Sequence, residues 1–219
     1  MNKKSYPATK LVRFDWAMKK ILRNKANFRI LEGFLSELLG QNIKIIQLLE
    51  SESNQEESED KFNRVDLLVE NESGELIIIE VQNQTELDYL QRLIYGTSKV
   101  LVEHIKMGES YSEIKRVISI SIIYFDLGQG EDYIYAGNTD FVGLHLKDRL
   151  ELSEAQKLAF SVNGVRNLFP QYYLIKVKKF VCAQNFTEKI LQIRKFRLPS
   201  PYKSMFLSFF LWINNLSTL

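Results

Sequence analysis

The chain has 219 residues, 45% hydrophobic and 26% charged, a globular composition long enough for one good core and short for two domains. Its single cysteine, Cys182, excludes an internal disulfide and fits a reducing interior; with only two histidines, His104 and His145, it also argues against a structural zinc site. The longest strongly apolar stretch, Met205 to Ile213, falls short of the roughly 20 residues that span a bilayer, and no signal-like apolar run follows the N-terminal lysines.

The net charge is only +2, but it is unevenly spread. Residues 1–154 carry 19 basic and 26 acidic side chains, a balance of −7, whereas residues 155–219 carry 10 basic and 1 acidic, a balance of +9. The first thirty residues are basic again, with nine cationic side chains against Asp15 alone. Basic ends around an acidic middle suit a polyanion held near a cation-binding site, or a surface whose charges are merely solvated.

In chain order, residues 1–13 read as a polar, basic arm. Phe14 to Arg23 and Asn27 to Leu39 read as helices, the second with Phe28, Leu31, Phe34, Leu35, Leu38 and Leu39 at helical spacing, Asn27 as N-cap and Gly40 as its stop. Glu32 and Glu37 read first as a solvated helix face, and second as helical carboxylates that could add an acidic group near a metal. Ile43 to Leu49 reads as a strand, and residues 50–60 as a hydrophilic acidic loop. After the central hairpin, Thr85 is expected to cap a long helix to about Lys106, with Glu86 and Asp88 in its first turn and Gly108 beyond its end. Leu87, Leu90, Ile94, Leu101 and Ile105 are the expected buried stripe, while Arg92, Tyr95 and Lys99 share another face. Strands follow at Arg116 to Phe125, Tyr133 to Tyr135, Phe141 to Leu146 and Tyr172 to Phe180, with a short helix capped by Ser153 before the last. The sum is an α/β (α+β) fold, a mixed sheet flanked by helices.

The most informative stretch is Asn63 to Gln82, in which two aliphatic runs flank Asn71-Glu72-Ser73-Gly74, a hairpin signal. Asp66, Glu80 and Gln82 interrupt those runs, although carboxylates are rarely fully buried without a partner. Opposed residues share a face, so register decides whether the two acids meet. A three-residue loop, Glu72-Ser73-Gly74, sets Asp66 opposite Glu80 and gives Gly74 the left-handed position. A two-residue loop would put them on opposite faces.

Two carboxylates so close cannot both stay ionised in a dry site without a cation. A hard divalent ion resolves the conflict: Mg²⁺ takes one or two carboxylates and keeps several waters. Asp66 and Glu80 would be its ligands, with the Val81 carbonyl as another, and the neutral Gln82 could orient water or a phosphate oxygen but cannot act as a base. The plainer reading is a salt-bridged pair with Arg64 or Arg92.

The wider pattern is more specific. Asp15-x-x-Met18-Lys19, Asp60-Lys61-x-x-Arg64-x-Asp66, Glu80-Val81-Gln82 and Arg92-x-x-Tyr95 together resemble the PD-(D/E)XK nuclease superfamily, in its Rpn-like branch of recombination-promoting nucleases and transposases, which typically carries Gln where others have Lys. The resemblance covers about residues 8 to 180. Met18 replaces the usual Phe, and the basic and apolar residues 181–219 depart from the family's acidic, aromatic ending. The resemblance implies a restriction-endonuclease-like core over residues 1–180 followed by a tail at 181–219. It implies Mg²⁺-dependent DNA endonuclease activity, with Mn²⁺ as a substitute, in a bacterial cytoplasm. Asp66, Glu80, Gln82 and Asp15 would be catalytic, the first two as metal ligands; Asp15 could equally be only the N-cap of its helix. Lys61, Arg92, Tyr95 and Lys99 would meet DNA, although a solvent-facing helix stripe explains the last three as well. Double-strand cleavage would favour a homodimer. A catalytically inactive DNA-binding or interaction protein on the same fold stays open as the second reading.

Overall fold

The computed structural model describes residues 25–49 and 66–177. The expected basic arm, first helix, acidic loop and C-terminal tail, with Asp15 and Lys61 among them, lie outside the described residues.

A 3₁₀ turn at Lys25–Asn27 leads into α1 (Phe28–Leu39), followed by β1 (Ile45–Leu49), β2 (Leu67–Asn71), β3 (Leu76–Gln82), α2 (Tyr89–Glu103), β4 (Val117–Ile123), β5 (Ile134–Gly137), α3 (Glu154–Phe160) and β6 (Gln171–Lys176). The six strands form one sheet in the order β1-β2-β3-β4-β6-β5. Its centre is parallel, β3 with β4 and β4 with β6, and its flanking pairs are antiparallel. β4 lies in the middle, and each of its residues is buried. An uninterrupted apolar run is what a strand covered on both faces requires, and α2 supplies the crossover that a parallel pair needs.

The two long helices cover opposite faces. Leu31, Phe34 and Leu35 of α1 pack with Leu67, Val69, Ile77, Ile79, Val81, Ile118, Ile120 and Ile122. On the other face, Val100 of α2 packs with Leu68, Leu76, Ile78 and Val117, and Tyr89 and Leu93 pack with Ile123 and Phe125. Glu80 and Gln82 alternate with Ile79 and Val81, so they belong to the α2 face.

The hairpin has the three-residue loop expected from its sequence. Leu67 pairs with Ile79 and Glu70 with Leu76. The Gly74 N–H donates to the Asn71 carbonyl at 2.9 Å, with Gly74 at φ 74°. The Asn71 side chain holds the turn by accepting from the Ser73 and Glu75 N–H groups at 3.0 and 2.9 Å.

Several expectations are corrected. Glu32 and Glu37 do not form a solvated face. Glu32 accepts from the Ile45 N–H at 3.0 Å and from Lys44 Nζ at 3.1 Å, pinning α1 to β1, and Glu37 is buried. Thr85 does not cap α2, because residues 87 and 88 form a turn and the helix starts at Tyr89, with Asp88 at the N-cap position. Its end is Glu103 rather than Lys106, and Gly108 belongs to a later turn. The stripe is also rotated. Leu87, Leu90 and Ile94 are exposed, and the buried face is Tyr89, Leu93, Gly96, Thr97 and Val100. Gly96 and Thr97 are buried on that face, and Thr97 satisfies its hydroxyl on the Leu93 carbonyl at 2.8 Å. Phe141 to Leu146 is not a strand. It enters a tight loop closed by Gly143 N–H to Asp148 O and Leu150 N–H to Phe141 O, with one bridge between Val142 and Arg149. The cap of α3 is as expected: Ser153 and Gln156 exchange side-chain to backbone bonds in a capping box. Among the described residues, no helix is long and apolar enough to cross a membrane.

Candidate active site

Asp66 stands immediately before β2, one step beyond the Leu67–Ile79 pair. The same register sets it opposite Glu80, on the α2 face. Its Oδ2 accepts from the Val81 N–H at 2.7 Å. The side chain therefore takes the donor that the next backbone carbonyl of an extended β2 would have taken, and it ends the ladder. The Gln82 carbonyl accepts from the Tyr124 N–H at 3.0 Å on the β4 side. Carbonyls alternate along a strand, so the Val81 carbonyl points to the β2 side, where Asp66 lies.

Glu80 is only 5% exposed. Its carboxyl is pushed up to about 7, first by burial; the negative charges of Asp66 and Glu86 raise it further, while the Arg92 guanidinium and the Tyr89 hydroxyl pull it down. Tyr89 Oη donates to Glu80 Oε2 at 3.4 Å. The ring of Tyr89 is buried and meets Phe125 edge to face, with centroids 5.6 Å apart. Ser121 is paired with Glu80 across the parallel β3–β4 ladder, so it points to the same face; burial raises the Tyr89 pKa, and the Ser121 hydroxyl works against that rise.

Gln82 and Arg92 converge on Glu86. Gln82 Nε2 donates to Glu86 Oε1 at 2.6 Å and to the Gln84 carbonyl at 3.2 Å. Arg92 Nη1 donates to both Glu86 oxygens, at 2.9 and 3.1 Å. Burial works against the guanidinium charge, but Glu80 and Glu86 more than offset it and raise its pKa.

The fold thus brings Asp66, Glu80, Gln82 and Arg92 to one end of the sheet. Tyr95 is exposed on α2, and Lys99 pairs with Glu103 at 3.7 Å, about 10 Å along the helix from Arg92. Val100, next to Lys99, packs on Leu76 and Val117 at the opposite end of their strands. Lys99 accordingly stands away from the carboxylates.

Comparison with family models decides the assignment: the model for PD-(D/E)XK nuclease family transposases matches residues 12–157. The chain belongs to this family. Comparison with curated proteins and with solved structures gave no match. The family's matched span takes in every candidate residue from Asp15 to Lys99 and ends inside α3, short of the reach to about residue 180 that the motifs alone imply.

For a family of nuclease-type transposases, the donor set has a clear character. Among the described residues, no group of three or more His, Cys, Asp or Glu side chains could hold a metal. Asp66, Glu80 and the Val81 carbonyl are two carboxylates and a neutral oxygen. That set fits an ion that keeps most of its own waters, as Mg²⁺ does. Burial first, and the Asp66 charge after it, raise the Glu80 carboxyl to about 7, and a cation held between the two acids would oppose both effects.

Three residues of this site escaped the sequence reading: Tyr89, Glu86 and Ser121. The two serines in the Val117–Ile123 run were a signal for the last, since a polar residue inside a doubly covered strand needs a partner. Glu86 and Tyr89 were obscured by the misplaced start of α2.

Proposed function

We propose that the protein is a Mg²⁺-dependent DNA endonuclease of the transposase or recombination-promoting type, hydrolysing phosphodiester bonds at the end of β3. The observation that carries this reading is the pairing of two nearly buried carboxylates on one sheet face, where burial first, and the Asp66 charge after it, raise the Glu80 carboxyl. Asp66 and Glu80, with the Val81 carbonyl, would hold the ion. A hard divalent ion, when bound, supplies an acidic water and neutralises charge on the phosphate.

The remaining work falls to side chains. Gln82, uncharged, orients water or a phosphate oxygen through its amide. Arg92 meets the DNA backbone with a planar set of donors. Tyr89 holds the Glu80 carboxylate in place. Asp15 would add negative charge near the ion, and Lys61, Tyr95 and Lys99 would line the path of the strand. In this reading residues 1–180 form the nuclease domain, residues 181–219 a tail, and double-strand cleavage takes two copies of the chain. The setting is the bacterial cytoplasm, and Mn²⁺ substitutes for Mg²⁺.

The test is nicking of supercoiled plasmid with and without Mg²⁺. Asp66→Ala and Glu80→Ala should each abolish nicking while the circular dichroism spectrum is kept. Unchanged cleavage by either variant sinks the assignment. Calorimetry with Mg²⁺ or Mn²⁺ separates the inactive DNA-binding alternative, which gives no heat yet still binds DNA.

A further inference from the structure

Gln82 and Arg92 lie beside the carboxylate pair, and both donate to one side chain of the same molecule, Glu86. Glu86 lies in the connection between β3 and α2 and is part-exposed, its side chain at 28%. It presents two oxygens to an amide at 2.6 Å and a guanidinium at 2.9 and 3.1 Å. A phosphodiester presents two non-bridging oxygens of the same charge to the same kinds of donor. The Arg92 Nε is buried and has no hydrogen-bond partner among the described residues, so the guanidinium holds a donor that Glu86 leaves unused.

We propose that Glu86 is a tethered competitor for a backbone phosphate: its carboxylate occupies the Gln82–Arg92 donor pair, and DNA enters this subsite by displacing it. The proposal rests on the nuclease reading and deepens it, since it names the group that keeps the subsite closed when DNA is absent. The tether is short and local. Glu86 is four residues from Gln82 and six from Arg92, so its release disturbs neither the β3 ladder nor the buried face of α2. The contact is a part-exposed ion pair, weak enough to exchange for a phosphate at modest cost.

The experiment is fluorescence-anisotropy titration of a labelled duplex oligonucleotide with the full chain in EDTA, which prevents cleavage. Glu86→Gln keeps the size of the side chain and removes its charge. It should bind roughly three- to tenfold more tightly than the wild type. Glu86→Ala should shift in the same direction. Adding Arg92→Gln to Glu86→Gln should erase the gain, because the freed donor is then gone. Binding by Glu86→Gln that is unchanged or weaker overturns the proposal and makes Glu86 a support for Arg92. If the wild type nicks plasmid with Mg²⁺ while Glu86→Gln binds no more tightly, only the competitor role falls. If the wild type neither binds nor cleaves DNA, the nuclease reading falls with it.

Discussion

The Asp66 carboxylate accepts the Val81 backbone N–H at 2.7 Å, so one side chain both terminates the β2–β3 ladder and faces Glu80. These two duties can be separated by mutation. Asp66→Asn keeps a carbonyl acceptor for the Val81 N–H but loses the charge, whereas Asp66→Ala loses both. A buried backbone donor left without a partner costs about 1–3 kcal/mol. Urea unfolding should therefore rank Asp66→Ala about 1–2 kcal/mol below Asp66→Asn in stability. Both variants should lose Mg²⁺ binding by calorimetry. Equal stability of the two would mean that the hydrogen bond contributes nothing to the fold.

Glu80 makes the metal-free protein sensitive to pH. Its folded-state pKa is about 7 against an ordinary 4.5, raised chiefly by burial. A raised carboxyl pKa means that the folded state binds the proton more tightly than the unfolded one. The stabilisation is fully present below pH 4.5 and is lost as the pH rises through 7. In EDTA the melting temperature should fall between pH 5 and pH 8, by a contribution of up to about 3 kcal/mol. Glu80→Gln, neutral throughout, should flatten that window. A wild-type profile parallel to that of Glu80→Gln would refute the shift.

Tyr89 is expected to act on Glu80 through its hydroxyl alone. Tyr89→Phe keeps the edge-to-face packing on Phe125 and removes a bond that favours the ionised carboxylate. Glu80 should then hold its proton to higher pH. The acid limb of the nicking pH profile should move upward, with roughly two- to fivefold less activity at pH 7 and little change at pH 9. Loss of activity equal at all pH values would instead indicate damaged packing. Tyr89→Ala should show that damage, at about 3–5 kcal/mol.

The hairpin was legible in the sequence because its geometry leaves few choices. Given the Asn71 to Gly74 turn, only one loop length allowed Asp66 and Glu80 to meet, and a glycine was already at the position needing φ 74°. The central strand was equally plain, since Val117 to Ile123 is apolar enough for a place covered on both sides. The surroundings of the site were harder to read. Glu86 looks like a favourable acid in the first turn of a helix, and only the turn at residues 87 and 88 frees it to reach Gln82 and Arg92. Phe141 to Leu146 has strand-like residues but turns back on itself, with a single bridge between Val142 and Arg149.

The face of α2 is where the residue pattern and the packing part most sharply. Leu87, Leu90 and Ile94 recur at helical spacing, yet they are 97%, 50% and 60% exposed. Leu93 is 6% exposed and packs with Tyr89, Ile123 and Phe125. Burial, rather than hydrophobicity alone, sets the cost of truncation. Leu93→Ala should destabilise the protein by about 2–4 kcal/mol through lost transfer energy and the cavity left behind. Ile94→Ala, its immediate neighbour and just as apolar, should change stability by no more than about 0.5 kcal/mol. Urea denaturation of the two variants decides the orientation of the helix. A cost at Ile94 equal to or greater than that at Leu93 would turn α2 back to the face its leucine spacing suggests, and Tyr89 could then no longer reach Glu80.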